Sequence, residues 1–256
     1  MTLFERYESG DRGRVWDEIH ELGPLSGVAP EVCCDVERVA RRTIERAAAN
    51  VTTIHGRLVA IGYRFDLPDD ALVPPNARTA ETKTRLAEAA GPLPATLGAW
   101  FDCAGYASFR GSPPAWSGPR RWYDELFDPF EFVYDSQMID SALEMVEDDP
   151  ELYTAENGVT VFPLEFAGDF FHKNDFSGGG PTYAALPSAD ADARVFEDNG
   201  ARYVDWTDSE PGDEHGLWFV DYLRRYFRNG GFRRVRPDGA YPAGFFASLS
   251  HGLLEI

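Results

Sequence analysis

AGPLPATLGAWFDCAGYASFRGSPPAW, residues 90–116, holds two periodicities back to back. Leu97, Trp100, Phe101 and Ala104 fall at helical spacing after Pro94, and Gly105 stops the run. YASF at 106–109 then reads as a strand. GSPPAWSGP at 111–119 reads as a loop, because its Gly and Pro break both periods. A buried helix therefore passes through one glycine into a strand.

Upstream of this step the chain is helical. Val15, Trp16, Ile19 and Leu22 predict a helix over 12–22, ended by Gly23-Pro24. The strongest signal covers 31–61, where Val32, Val36, Val39, Thr43, Ala47, Val51, Ile54, Leu58 and Ile61 step by three or four. Pro30 suits its first turn, and Gly62 suits a left-handed cap. Residues 66–78, with three prolines, read as a linker, and 80–90 as a short helix ending at Gly91. Downstream, strands dominate. FEFVY at 130–134, VTVFPLEF at 159–166, TYAAL at 182–186, ARVF at 193–196 and ARYVDW at 201–206 are β-prone runs between turn residues. Helices are predicted at 136–147 and 216–228, with a further short one within 243–254.

Helices first, then clustered strands, then a helix make an α+β pattern rather than an alternating βαβ one. The expected architecture is a mainly antiparallel mixed sheet from 106–109, 130–134, 159–164 and 182–186, with helices packed on it. An N-terminal helical layer over 1–65 is expected to extend a core unit of 79–256, the two forming one continuous globular body. Leu97, Trp100, Phe101, Phe132, Val161, Phe162, Leu186, Phe219 and Leu223 are the expected core.

At 256 residues the chain is long enough to hide roughly 70–75% of its unfolded surface. A 43% hydrophobic and 26% charged composition excludes collagen-like, coiled-coil and wholly disordered classes. No stretch approaches the ~20 apolar residues of a spanning helix. MTLFERYESGDRGRVW lacks an apolar signal region, so a cytoplasmic location is expected. Cys33, Cys34 and Cys103 are too few for a disulfide framework and show no zinc spacing.

Charge is unevenly distributed. Residues 122–221 carry 25 acidic and 3 basic side chains, against a total net charge of −19. Residues 222–256 carry 6 basic and 2 acidic ones. Phosphate binding needs clustered Lys and Arg, so direct nucleic-acid binding is disfavoured and a basic protein partner is favoured.

Catalytic motifs are weak. DFSGGGPTY at 175–183 has Pro181 where a phosphate loop needs a donor, and Lys173 precedes Gly178, Gly179 and Gly180. A tight bend accounts for it better. Asp169, His172 and Asp175, which His215 beside Asp213 and Glu214 is expected to be able to join, offer metal-ligand types without a helix to align them. No G-x-S-x-G elbow occurs, and Cys103 shares a helix with Trp100 and Phe101, where packing is its expected role. No cofactor is expected.

The 90–116 string resembles the core of the SUKH superfamily, which includes SMI/KNR-type regulators of cell-wall assembly and bacterial toxin-immunity proteins. The matching features are Leu93-Pro94 opening a helix, Leu97, Trp100-Phe101, Gly105 and the strand at 106–109. DFFHKNDFSGGGPTYAALP and LWFVDYLRRYFRNGGF look like segments in proteins grouped with it, so the resemblance spans roughly 90–235. It implies an α+β, non-catalytic protein-binding module, an immunity protein neutralising a toxin such as a nuclease. Expected partner contacts are Glu144, Glu147, Asp148, Asp149, Asp208, Glu210, Asp213 and Glu214, with Trp206 as aromatic anchor. A regulatory scaffold of the same fold and a metal-dependent hydrolase using His172 and Asp175 are the alternatives.

Overall fold

The structure, a computed structural model, describes residues 1–112, 130–134, 136–150, 164–167, 182–186, 190–198, 217–232 and 243–256. It is α+β, with helices dominant and every strand pair antiparallel among the described residues.

Two short helices, α1 (Leu3–Glu8) and α2 (Arg12–Glu21), precede the 31-residue α3 (Pro30–Ala60). The sequence reading missed α1, whose single turn and a half has too few residues to show a period. A reciprocal cap holds it: Thr2 Oγ1 accepts from Glu5 N, and Thr2 N donates to Glu5 Oε2. Pro30 is at the first position of α3, and Gly62 just past its end has φ +79°. Ile61, expected on the buried stripe, is 37% exposed because it sits at the cap, beyond the last packed turn.

The segment read as a linker is partly a strand. β1 (Arg64–Phe65) pairs with β4 (Gly111–Ser112), and β2 (Leu72–Val73) pairs with β3 (Tyr106–Ser108). Pro68 and Pro74-Pro75 flank β2 rather than interrupt it. Helix α4 (Ala77–Ala90) starts three residues earlier than expected. Asn76 Oδ1 accepts from the amides of Arg78 and Thr79, and Thr79 Oγ1 accepts from Asn76 N. Helix α5 (Ala95–Cys103) follows.

Among the described residues the expected strands do not make one sheet. β3 joins β2 and β5 (Glu131–Phe132), whereas β6 (Leu164–Ala167), β7 (Thr182–Leu186), β8 (Arg194–Asp198) and β9 (Leu217–Trp218) form a second sheet in that order. Helix α6 (Ser136–Asp148) lies between them in sequence, and α7 (Phe219–Arg228) and α8 (Phe245–Ser250) close the fold.

Helix α3 serves two apolar clusters. Its first half, Val36, Val39 and Ala40, packs with Tyr7, Val15, Trp16 and Ile19 of α1 and α2. Its second half, from Ile44 to Leu58, belongs to the main core with α5, β3, β5 and α7. Trp16 Nε1 donates to Thr43 Oγ1 at 3.1 Å where the two meet. In the main core Trp100 lies 5.0 Å from Phe132 and 5.5 Å from Phe219, ring centre to ring centre. Leu97, Trp100, Phe101, Phe132, Phe219 and Leu223 are buried as expected. Val161 and Phe162 lie outside the described residues, and Leu186 is described only as part of β7.

Candidate functional site

Helix α6 separates its residues cleanly. Ile139 and Ala142 are buried and Leu143 and Val146 half-buried, while Asp140, Glu144, Glu147 and Asp148 are exposed. Asp140 pairs with Arg85 of α4. Glu144, Glu147, Asp148 and the adjoining exposed Asp149 have no ion pair among the described residues, and the last turn of α6 carries no basic residue. A helix C-terminus bears partial negative charge and favours cations. Glu147, Asp148 and Asp149 therefore stand where their own helix repels them, with Glu144 one turn before, and a cation brought to this end relieves that repulsion. The other expected contacts, Trp206, Asp208, Glu210, Asp213 and Glu214, lie outside the described residues. So do Asp169, His172, Asp175, His215 and the three glycines at 178–180.

A cleft of about 660 Å³ opens between α3, α4 and α5. Ala87, Ala95, Gly98 and Ala99 leave it open because they are small, and Leu25, Leu93 and Pro94 give it an apolar side. Glu37, Arg41, Lys83, Asp102 and Asp190 bring charge to it. Lys83 Nζ binds Asp102 Oδ2 at 2.8 Å, and Arg41 reaches Glu45 at 3.4 Å. The sequence reading missed this cleft because five separate segments line it.

A third cluster centres on Asp192, whose carboxylate is fully buried. Its Oδ1 accepts from Thr96 Oγ1 at 2.8 Å and from Ala193 N at 2.9 Å. Its Oδ2 accepts from Val220 N at 3.2 Å and lies 3.1 Å from His20 Nε2. Val220 is in the first turn of α7, so Asp192 supplies from a distant segment the anion that a helix start favours. The His20 ring stacks on Trp218 at 4.1 Å, and the Arg194 guanidinium lies 3.6 Å over the same indole. Burial pushes the Arg194 pKa down. With four partners from the chain itself, this carboxylate ties α2, α5, α7 and the segment before β8 together. His20 and Asp192 are 172 residues apart, and no local motif marks either.

Cys103 is half-buried, and burial pushes its thiol pKa up, opposite to the shift of an activated nucleophile. Among the described residues no three His, Cys, Asp or Glu side chains gather to hold a metal ion, and no helix is long and apolar enough to cross a membrane. No protein-family model matches the chain, and no curated protein or solved structure matches it.

Proposed function

We propose that this chain is a non-catalytic protein-binding module that docks a basic partner through the acidic end of α6. In its most concrete form it is a SUKH-type immunity protein acting in the cytoplasm on a toxin such as a nuclease. The observation that carries the reading is the group Glu144, Glu147, Asp148 and Asp149, exposed and without an ion pair among the described residues, at and just before a helix end that disfavours negative charge. A nuclease presents Lys and Arg to phosphate, and that face complements clustered carboxylates. Steering by such a patch raises the association rate more than it slows dissociation.

The test is capture of the partner from the native host, followed by stopped-flow association with the parent chain and with a Glu144→Gln, Glu147→Gln, Asp148→Asn, Asp149→Asn variant. The variant is expected to associate about tenfold more slowly at low salt, with a flatter salt dependence. A partner without a basic face, or rates indifferent to the variant and to salt, rejects this docking mode.

A further inference from the structure

We infer that the cleft between α3, α4 and α5 is a second docking site, which takes a short segment of the partner carrying one arginine or lysine flanked by apolar residues. The inference rests on the reading that the partner is a basic protein. Its volume of about 660 Å³ falls within the roughly 300–1,000 Å³ of ligand sites. Leu25, Leu93 and Pro94 supply the apolar contact.

The charge pattern selects the sign of the ligand. Both cations of the cleft are already engaged, Lys83 by Asp102 and Arg41 by Glu45. Glu45 is one turn further along α3 from Arg41, and Glu37 is one turn the other way. Glu37 is exposed and has no ion pair among the described residues. Asp190, from the segment before β8, also lines the cleft, and its charge already acts on Arg194. An anionic ligand has to compete with Asp102 for Lys83, whereas a cationic side chain meets Glu37 directly. The Lys83 stem crosses the site closely: a Cβ built on Gly98 lies 3.7 Å from its Cε and 3.9 Å from its Nζ. A side chain larger than alanine at Gly98 therefore fills the cleft. Lys83 and Ala87 of α4 face this cleft, while Arg85 pairs with Asp140 on α6. A partner using both sites has to straddle α4.

The test is an amide-shift titration by NMR with two probe peptides, acetyl-Leu-Arg-Pro-Leu-amide and acetyl-Leu-Glu-Pro-Leu-amide. The arginine peptide is expected to saturate shifts at Ala95, Gly98 and Ala99, and the glutamate peptide to bind at least fivefold more weakly. Glu37→Lys, at an exposed helix position, is expected to weaken the arginine peptide at least fivefold without loss of fold. Gly98→Leu is expected to abolish binding, with Glu37→Lys serving alone should that variant not fold. Shifts centred elsewhere, equal binding of the two peptides, or indifference to Glu37→Lys overturns the proposal. Failure here, alongside a slowed association of the α6 variant with the captured partner, removes the cleft and leaves the α6 reading standing. The converse result removes α6 and keeps the cleft.

Discussion

Trp100 meets both of its needs within one turn of sequence. The ring is fully buried among Phe130, Phe132 and Phe219, and its Nε1 donates to the Gly105 carbonyl at 2.9 Å. Trp100→Ala leaves a cavity and an unpaired buried carbonyl, for an expected loss of about 3–5 kcal/mol, read from urea midpoints. Parental stability in that variant contradicts the placement. Gly105 itself has φ +75°, and a Cβ there runs into the Val73 carbonyl of β2. Gly105→Ala is expected to cost more than about 1 kcal/mol through both effects. The helix-to-strand step was legible because its glycine and its spacing are local. The reason no other residue fits at Gly105 was not, since the obstructing oxygen comes from a strand some thirty residues earlier. His55 adds a pH dependence. It stacks on Phe65 at 4.9 Å, and burial lowers its pKa from the ordinary 6.5. Between the lowered folded value and 6.5 the unfolded chain binds more protons, so stability rises with pH across that window. It falls as pH drops through the window and levels off below the folded value. Urea midpoints between pH 8 and pH 5 are expected to fall less in His55→Gln than in the parent, and identical slopes exclude this role.

At the scale of elements, α3 shows what periodicity reveals and what it hides. Its apolar stripe predicted the helix almost to the residue, because a one-sided stripe is written in the sequence itself. Asn50 lies beside that stripe as a polar residue, yet it is buried. Its Nδ2 donates to Leu254 O, and its Oδ1 accepts from Leu254 N, so one residue 204 positions away satisfies it. The strands β1, β2 and β4 have two residues each, too few for an alternation, and only their partners define them, whereas β5 falls inside the β-prone FEFVY run. The same applies to the candidate site. The acidic residues of α6 were legible as composition, but that Arg85 engages Asp140 while Glu144 and Glu147 have no ion pair among the described residues depends on how α4 packs. The Asp192 cluster gives a test of long-range capping. Asp192→Ala strands the Thr96 hydroxyl and the Val220 and Ala193 amides. Each unsatisfied buried group costs about 1–3 kcal/mol, so a total loss of about 3 kcal/mol or more is expected. His20→Gln, which retains a donor, is expected to cost about 1 kcal/mol. Hydrogen exchange is expected to quicken at the start of α7 in Asp192→Ala, and unchanged protection there rules out the remote cap.

For the whole molecule, the decisive quantity is how its charge is divided. The net charge is −19, and residues 122–221 hold 25 acidic against 3 basic side chains. The ion pairs described elsewhere lie at the surface, half-buried to exposed: Arg6 bridges Asp11 and Glu18, and Arg42 bridges Glu8 and Glu45. Pairs of that kind contribute little, typically about 0–1 kcal/mol. Repulsion among like charges acts over longer distances and presses on the compact state more than on the expanded one. Screening reaches about 8 Å at 0.15 M salt and about 30 Å at 0.01 M. Raising NaCl from 0.01 to 0.15 M should therefore remove more repulsion than attraction, and the melting temperature should rise. A gain of 1 kcal/mol corresponds to about 2–4 °C for a chain of this size. The Glu144, Glu147, Asp148 and Asp149 neutralised variant is expected to show a smaller rise, because its α6 end no longer opposes its own helix dipole. The same salt acts in the opposite direction on docking. Screening that stabilises the free chain weakens the field that draws in a basic partner, so the association rate should fall over the range in which the melting temperature climbs. A melting temperature that decreases with NaCl would mean that the surface pairs outweigh the repulsion. An association rate that climbs with salt would mean that the acidic surface does not steer the partner at all.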